Sequence, residues 1–425
     1  MKARLLSLLL LVTGVSLLAV ANLGALEKHP VLANGTEGNG GSDRPSLSQD
    51  GRYLAFQSSS NNLGGNASFR DIYLVDRMSN TIDLITLDTN GEATDGFSNS
   101  PTISGNGSKI VFSSSATDLV AGDGNASTDV FLYDVVTEEI SRVSVDKDGN
   151  DGDDDSFSIT ISRNGSWVAF TSRATDMVDG DSEGFSDVFM EGNGVRTRVT
   201  ETATGVGGDG VSGSQAFSTN GEVLVFLSRA RNLVPGTLSW DKVIVYDRLS
   251  DSFELASVDS NKVVADADCQ CPAVSGDGSI VAFYSAATNL VSGDTKGFND
   301  IFVRDRTSGE TERISVNPGG EGANGDSFSP RISEDGRHVA FYSSASDLVP
   351  NDNNNQPDLF IYDRHLKAIF RASASDAGIG GNGAASLFLD FSGDASTSRL
   401  QPMHRILFFR MATIIEISLW EIILS

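Results

Sequence analysis

Short apolar runs of four to six residues recur along the chain, each bounded by Gly, Asp or Asn. Runs such as "KIVFSS", "DVFLYD" and "IVAFYS" are rich in β-branched and aromatic residues, which is typical of strands rather than helices. In several runs consecutive residues are apolar, not only alternate ones, so both faces of each sheet should be covered. The pattern predicts an all-β protein whose small sheets pack against one another.

The runs belong to a repeat. One phrase, such as "SGNGSKIVF" or "SGDGSIVAF", occurs six times at intervals of 56 to 58 residues. It ends at Phe56, Phe112, Phe170, Phe226, Phe283 and Phe341. In the second unit "PTIS", "KIVFSS", "DVFLYD" and "ISRVSV" predict strands A, B, C and D of a four-stranded antiparallel sheet, with Phe buried between sheets. The Asp-Gly or Asn-Gly dipeptide between A and B predicts a two-residue hairpin turn.

A four-stranded repeat of this length is typical of a β-propeller and not of a solenoid. The phrases "S-x-[DN]-G-x-x-[VIL]-[AV]-F" and "D-[IVL]-[FY]-[VLI]-x-D" resemble the WD40-like (PD40) repeats of the TolB-type β-propellers. The resemblance extends from residue 45 to about residue 394. It implies an all-β propeller of four-stranded antiparallel blades. The units in this sequence predict six full repeats and a partial closing blade. It implies little about function, because propellers of this kind do many jobs.

The ends of the chain differ from the repeats. Residues 1–21 form a predicted signal peptide, with Lys2 and Arg4 before an apolar run and an Ala-x-Ala site at 19–21. Residues 22–44 are predicted to be an N-terminal closing strand and loop, and residues 45–394 the propeller repeats. Residues 395–425 are an atypical apolar tail, which is either a degenerate closing blade or a drifted or shortened chain end. Because the segments at the two ends together resemble one further blade that closes the ring, seven blades are favoured over six.

The sequence contains 57 Asp and Glu against 31 Lys and Arg, a net charge of −26. Such a surface repels nucleic acid and anionic lipid and favours cations or basic partners. In a four-stranded blade the B–C and D–A loops emerge on one face, and these are the long acidic loops here. The most acidic loop contains Asp146, Asp148, Asp151, Asp153, Asp154 and Asp155. We expect an acidic face that binds calcium or a basic protein, with a merely solvated surface as the alternative.

Four B–C loops carry acidic or amide residues at the spacing with which a calcium loop begins. The candidate ligands are Asp123, Asn125 and Asp129; Asp181, Glu183 and Asp187; Asp294 and Asp300; and Asp352, Asn354 and Asp358. Lys296 interrupts the third loop, and the first and fourth units lack the leading Asp. Because Asp and Asn also stabilise turns through their own backbone, the alternative is that these loops only turn the chain.

Two sets of polar residues recur in every unit and are therefore predicted to be structural. One set follows each Phe by two residues: Ser58, Ser114, Ser172, Ser228, Ser285 and Ser343. The other follows by six: Asn62, Asp118, Asp176, Asn232, Asn289 and Asp347.

Residues that break the repeat are few, and none forms a catalytic motif. His338 lies in a strand B and His365 in a C–D turn, and Cys269 and Cys271 are the only cysteines. We therefore expect an exported, periplasmic or extracellular, non-catalytic binding or scaffold module. It would be a monomer with a protein or glycan partner, without stable membrane insertion after signal cleavage. The alternatives are a secreted carbohydrate-active or hydrolytic propeller enzyme, and a degenerate family member without an intact site.

Overall fold

The computed structural model describes residues 37–66, 68–181, 184–236, 240–353, 356–373, 398–400 and 407–409. The predicted signal peptide lies outside the described residues. Strands and loops make up nearly all of these ranges, together with a 3-10 helix at Asn61–Leu63. Among the residues that the structure describes, none forms a helix with the length and apolar character needed to span a bilayer.

Six antiparallel sheets of four strands follow one another along the chain, one for each repeat. Blade 1 contains β1 (Ser42–Leu47), β2 (Tyr53–Ser58), β3 (Asp71–Asp76) and β4 (Thr81–Leu84). Blade 2 contains β5 (Ser98–Ile103), β6 (Lys109–Ser114), β7 (Asp129–Asp134) and β8 (Ile140–Arg142). Blade 3 contains β9 (Ser156–Ile161), β10 (Trp167–Ser172), β11 (Asp187–Gly192) and β12 (Val195–Arg198).

The other three blades repeat this order. Blade 4 contains β13 (Ser212–Phe217), β14 (Val223–Ser228), β15 (Lys242–Asp247) and β16 (Ser252–Leu255). Blade 5 contains β17 (Cys269–Val274), β18 (Ile280–Ser285), β19 (Asp300–Asp305) and β20 (Glu310–Arg313). Blade 6 contains β21 (Ser327–Ile332), β22 (His338–Ser343), β23 (Asp358–Asp363) and β24 (Ala368–Arg371). The prediction of an all-β propeller of four-stranded blades is confirmed.

The core lies between the blades, where the apolar strands B and C of one sheet pack against the next. All six Phe residues that end the repeated phrase are fully buried, as predicted, and each is the fourth of the six residues of its strand B. Phe283 stacks on Phe302 of the neighbouring strand, with ring centroids 5.9 Å apart. Both rings belong to a buried apolar cluster that includes Val225 and Val243 of blade 4. Both faces of the middle strands are therefore covered, which is why their consecutive residues are apolar.

The A–B hairpin differs from the two-residue turn predicted for it. In blade 1 the backbone N–H of Ser48 donates to the carbonyl of Tyr53 at 3.0 Å, which closes a four-residue loop. Within that loop only Gly51 has a positive φ, of 68°. The Ser48 hydroxyl donates to Asp50 at 2.6 Å and accepts the Tyr53 N–H at 2.9 Å. The Ser-x-Asp-Gly phrase is thus a side-chain-supported loop, because the serine hydroxyl bridges its two ends.

The A–B loops contact one another around the axis. Backbone N–H groups donate to the next blade's loop, as from Gln49 to Gly105 at 2.7 Å and from Gly276 to Glu334 at 2.8 Å. The Glu334 carboxylate accepts one hydrogen bond from the Thr219 hydroxyl and one from the Gln49 side-chain amide, both at 3.0 Å. The loops of blades 4, 5, 6 and 1 are therefore tied together on one face.

The structure describes six four-stranded blades, and the prediction of seven blades is not confirmed. In the tail, β25 (Ser398–Leu400) and β26 (Leu407–Phe409) pair with each other as an antiparallel hairpin. Residues 374–397, 401–406 and 410–425, on which the prediction of a closing blade also depends, lie outside the described residues.

Candidate functional site

The acidic B–C and D–A loops meet on one face, as their connectivity predicts. Within blade 2 the N–H of Gly124 donates to Asp151 at 2.9 Å, and that of Thr128 donates to Asp155 at 2.7 Å. In blade 5 the N–H of Asn299 donates to Asp326 at 2.8 Å. The D–A aspartates thus fix the B–C loop that precedes them in the chain.

The recurrent polar residues are structural, as predicted. Each Asn or Asp of the second set accepts a hydrogen bond from a D–A backbone N–H, for example Asn289 from Asp266 at 3.1 Å. The recurrent serines accept the N–H two residues on, as Ser285 does from Ala287 at 3.0 Å. These groups hold the loops in place in every blade and distinguish none of them.

The predicted calcium loop of blade 2 surrounds an arginine. Arg142 enters from strand β8, with its Nη1 3.3 Å from Asp123 Oδ1 and 3.8 Å from Asp129 Oδ2. Its Nη2 contacts Asp151 of the D–A loop. The side chains of Arg142, Asp123 and Asp129 are at most 7% exposed, so this is a buried guanidinium within a carboxylate cluster. Asn125 lies outside the ion pair, and its amide donates to the carbonyl of Gly152 at 2.9 Å.

Three other blades repeat the arrangement. In blade 5, Arg313 Nη1 lies 2.9 Å from Asp294 and 3.2 Å from Asp300. The corresponding distances are 3.2 Å from Arg198 to Asp181 in blade 3, and 2.8 and 3.7 Å from Arg371 to Asp352 and Asp358 in blade 6. Asp187 of blade 3 accepts the Thr200 hydroxyl. Glu183 and Asn354 lie outside the described residues.

Burial governs the electrostatics of these clusters. It raises the pKa of Asp123 to about 6, and the negative charge of Asp129 adds to the shift. It also raises the pKa of Asp129, Asp294 and Asp300 above the usual aspartate range, although each faces an arginine. Two carboxylates share one guanidinium, so the arginine cannot compensate fully for the desolvation of both.

The four arginines were not recognised from the sequence, although a signal for them is present. Each lies opposite the third residue of strand C, in the units that carry the leading loop Asp. Blades 1 and 4 have Leu84 and Leu255 at the arginine position, and Gly65 and Gly236 at the loop position. The loop aspartate and the strand arginine are therefore present or absent together within a single chain.

This geometry bears on the calcium hypothesis. Calcium requires six to eight oxygen ligands, whereas here the leading and final aspartates face a buried cationic side chain. Within the described ranges, no three His, Cys, Asp or Glu side chains are grouped so that they could hold a metal ion. As arranged, the loops fit a guanidinium better than calcium, and calcium binding stays a prediction.

The D–A loop after blade 2 has a different character, because its charge faces solvent. Asp148 and Asp154 are exposed. Asp146 accepts the N–H groups of Asp148 and Asn150 at 2.8 and 2.7 Å, and these bonds lower its pKa. Lys147 pairs with Asp179 at 2.5 Å in an exposed contact. Neutral donors thus hold the loop while most of its negative charge stays uncompensated.

The residues that break the repeat are packed into the fold. His338 is buried, its Nε2 lies 3.5 Å from Asp363 Oδ2, and burial lowers its pKa. Cys269 and Cys271 are free thiols. Burial raises the pKa of Cys269 to about 11, so this thiol is protonated at neutral pH.

No protein-family model and no curated protein matches the sequence. Solved structures do match. The β-propeller domain of the Trilobed protease from Pyrococcus furiosus is 12% identical, with 88% of this chain and 94% of that chain covered and a TM-score of 0.55. The fold is that of a β-propeller. TolB from Acinetobacter baumannii is 17% identical, with 64% of this chain and 53% of that chain covered and a TM-score of 0.39.

Structures of enzymes are similar as well. An oligogalacturonate lyase from Vibrio parahaemolyticus is 12% identical, with 91% of this chain and 98% of that chain covered and a TM-score of 0.54. A prolyl endopeptidase is matched over 46% of its length, so the propeller spans about half of that chain and of the TolB chain. Identities at this level establish the fold alone.

Proposed function

We propose that this propeller is an exported, non-catalytic binding module whose acidic face receives a basic protein partner. The observation that carries the proposal is the contrast between two kinds of carboxylate on that face. The B–C aspartates are buried and share an arginine of the chain, as Asp294 and Asp300 share Arg313. The exposed Asp148 and Asp154 have no such arginine, so their charge is available to a partner.

Electrostatics supports a protein partner more than a nucleic acid or an anionic lipid. The net charge of −26 repels both of these, and clustered surface charge accelerates encounter with an oppositely charged surface. The loop is also held in place, by bonds such as that from Thr175 N–H to Asp153 at 2.7 Å. A preorganised acidic loop loses less entropy on binding than a flexible one.

The test is binding to an immobilised basic probe, poly-L-lysine, at increasing salt. The double variant Asp148→Asn/Asp154→Asn should bind more weakly and with a shallower salt dependence than the parent protein. A matched control, Asp134→Asn/Glu139→Asn, removes the same charge from the opposite face. Equal losses in both variants would show that only net charge matters and would contradict a defined acidic surface.

A calcium ion is the alternative occupant of the acidic face. If it binds the folded state, the melting temperature should rise with calcium more than with sodium at matched ionic strength. Asp123→Asn/Asp129→Asn should reduce that rise, and Asp335→Asn, on the opposite face, should not. Equal shifts with the two salts would exclude a specific calcium site.

The enzymatic alternative is tested separately. The similarity to an oligogalacturonate lyase over 98% of that chain motivates an assay for unsaturated products released from oligogalacturonides. We expect no turnover. Turnover that survives further purification and is lost in a His338→Gln variant would replace the binding proposal with a carbohydrate-active one.

A further inference from the structure

A groove of about 710 Å³ separates the outer edges of blades 1 and 2. Its walls include the apolar side chains of Ile82 and Ile140 and the ring of Tyr133. Asp83 of β4 and Glu138 of the blade 2 C–D turn add carboxylates to the lining. Both acids are exposed, and neither has a cationic partner among the residues that the structure describes.

The equivalent gap between blades 4 and 5 contains a cation. Glu254 lies opposite Val245 in blade 4, as Asp83 lies opposite Leu74 in blade 1. Arg306, the residue after β19, reaches across the gap and donates to Glu254 at 3.3 Å through both Nε and Nη2. Its Nη1 also donates to the carbonyl of Gly278 at 2.7 Å.

The gap between blades 5 and 6 contains the same pairing. Glu312 occupies the position of Asp83, opposite Val303. Arg364, the residue after β23, lies 4.0 Å from Glu312, and Lys367 lies 2.5 Å from it. In both gaps an acid on strand D is neutralised by basic residues in the next blade's C–D turn.

The gap between blades 1 and 2 has the strand D acid, Asp83, but no basic residue at the corresponding positions of the C–D turn. Val135 is the residue after β7, the position that Arg306 has in blade 5 and Arg364 in blade 6. A shared backbone hydrogen bond confirms this equivalence. The N–H of Val135 donates to Ser108 at 2.8 Å, just as that of Arg306 donates to Ser279 at 2.9 Å. Glu138 stands where blade 6 has Lys367, four residues after the last Asp of strand C. A second negative charge therefore replaces the cation opposite Asp83.

The gap between blades 2 and 3 shows that such a space can hold an arginine side chain. Arg196 of β12 lies in it, at the position of Ile140 in blade 2. It donates to the carbonyl of Val143 at 2.7 Å, contacts that of Val145, and pairs with Glu191 at 2.7 Å. The gaps between blades 2 and 3, 4 and 5, and 5 and 6 are thus occupied by arginines of the propeller itself.

We propose that the groove between blades 1 and 2 is a socket for an arginine side chain of a partner protein. The aliphatic part of that side chain would lie against Ile82, Ile140 and Tyr133, and its guanidinium would lie between Asp83 and Glu138. The apolar walls favour a long side chain over a hydrated metal ion, and the planar guanidinium can serve two carboxylates at once. Burial and the charge of Glu138 raise the pKa of Asp83, which a bound cation would reverse.

The test uses an acetylated, fluorescein-labelled peptide, Gly-Leu-Arg-Leu-Gly, and its citrulline counterpart, which keeps the shape and loses the charge. Fluorescence anisotropy should show binding of the arginine peptide about fivefold tighter, the effect expected of a partly exposed ion pair. Val135→Arg supplies the base internally, as Arg306 does in blade 5, and should abolish this preference. Val135→Leu changes the size without the charge and should retain the preference.

Two further variants separate the socket from the acidic face. Asp148→Asn/Asp154→Asn leaves the groove intact and should not change the arginine preference. Arg306→Val exposes Glu254 but leaves Gly309 where blade 2 has Glu138, so with a single carboxylate it should not create a second socket. An arginine preference that survives Val135→Arg, or that disappears with Asp148 and Asp154, would overturn the socket. A preference for a lysine peptide over the arginine peptide would overturn the choice of guanidinium.

Discussion

Blades 1 and 4 differ from blades 2, 3, 5 and 6 in how they hold the start of strand C. In the larger group an arginine from strand D joins the first residue of strand C to the preceding loop, as Arg313 does for Asp300 and Asp294. In blade 1, Asp71 has no arginine partner among the residues that the structure describes, and it accepts the Asn66 N–H at 2.9 Å and the Thr86 hydroxyl at 2.8 Å. In blade 4 a lysine, Lys242, replaces the aspartate.

The two groups nevertheless share the same strand pairing and the same buried Phe. The strand register of blade 4 matches that of blade 5, residue for residue, between strands B and C. The ion pairs are therefore additions to a fold that the apolar strands already specify. The ion pairs hold the loops in place. A blade that lacks the leading loop Asp also lacks the strand D arginine, which would otherwise be buried without that partner.

The largest expected loss of stability comes from removing the buried Phe that both groups of blades share. Phe283→Ala in blade 5 and Phe226→Ala in blade 4 each remove a fully buried ring, so each should lower the free energy of unfolding by about 3–5 kcal/mol. Urea denaturation measures both. A loss below about 1 kcal/mol at either site would show that the shared core is not the basis of the fold.

The next effect breaks one ion pair. Arg313→Met leaves Asp294 and Asp300 buried with no arginine between them, which should cost about 3 kcal/mol or more in unfolding free energy. The control is Arg229→Met, which removes a half-exposed partner of Asp241 and should cost about 1 kcal/mol or less. Similar losses from the two variants would mean that burial does not distinguish these pairs.

Converting blade 5 to the pattern of blade 1 should restore most of that loss. The double variant Asp294→Gly/Arg313→Leu removes both the cation and one buried carboxylate, leaving Asp300 as Asp71 is left in blade 1. We expect its unfolding free energy to lie within about 1–2 kcal/mol of the parent protein. A double variant no more stable than Arg313→Met alone would show that the aspartate does not depend on the arginine.

Blade 4 offers an expected gain. Lys242 is fully buried, its Nζ has no hydrogen-bond partner within the described structure, and burial lowers its pKa. Lys242→Met should stabilise the protein by about 1 kcal/mol at neutral pH. Because the lysine pKa is lower in the folded protein, the parent should gain stability as pH rises toward 10.5, and the variant should not. Parallel pH profiles of the two proteins would contradict this account.

The smallest effect is a pH dependence of blade 2. The pKa of Asp123 is about 6 in the folded protein against an ordinary 3.8, so folding takes up a proton between these values. The parent protein should therefore lose stability relative to Asp123→Asn as pH rises from about 4 to about 6, with no further change above. Urea midpoints of both proteins across this range measure the difference. A constant difference would mean that the carboxyl titrates at its ordinary value.

The sequence predicts the strands and the core well because both depend on local apolar periodicity. The run "KIVFSS" coincides with β6, and the Phe within each strand B is buried. The A–B loop was misjudged because its geometry depends on a serine hydroxyl and not on the Asp-Gly dipeptide alone. The bulge in each strand A was missed, since the residues with positive φ there include Ser100 and Cys271 and no glycine.

The candidate site was predicted only in part. The sequence predicts that the loop aspartates act together, but their partner is an arginine of the same chain and not an external ion. Arg313 comes 19 residues after Asp294 and on a different strand, so a search within the loop could not find it. Comparing the units position by position would have revealed it, since the loop position and the strand D position change together.

The hydrogen bonds of the Glu334 side chain bear on the order in which the blades form. Most polar contacts of a blade span few residues, such as the 13 from Asp300 to Arg313, so each blade can settle soon after it is synthesised. The bond from Gln49 to Glu334 spans 285 residues and cannot form until the sixth A–B loop exists. A chain stopped after blade 5 would therefore lack the tie between its first and its sixth A–B loop.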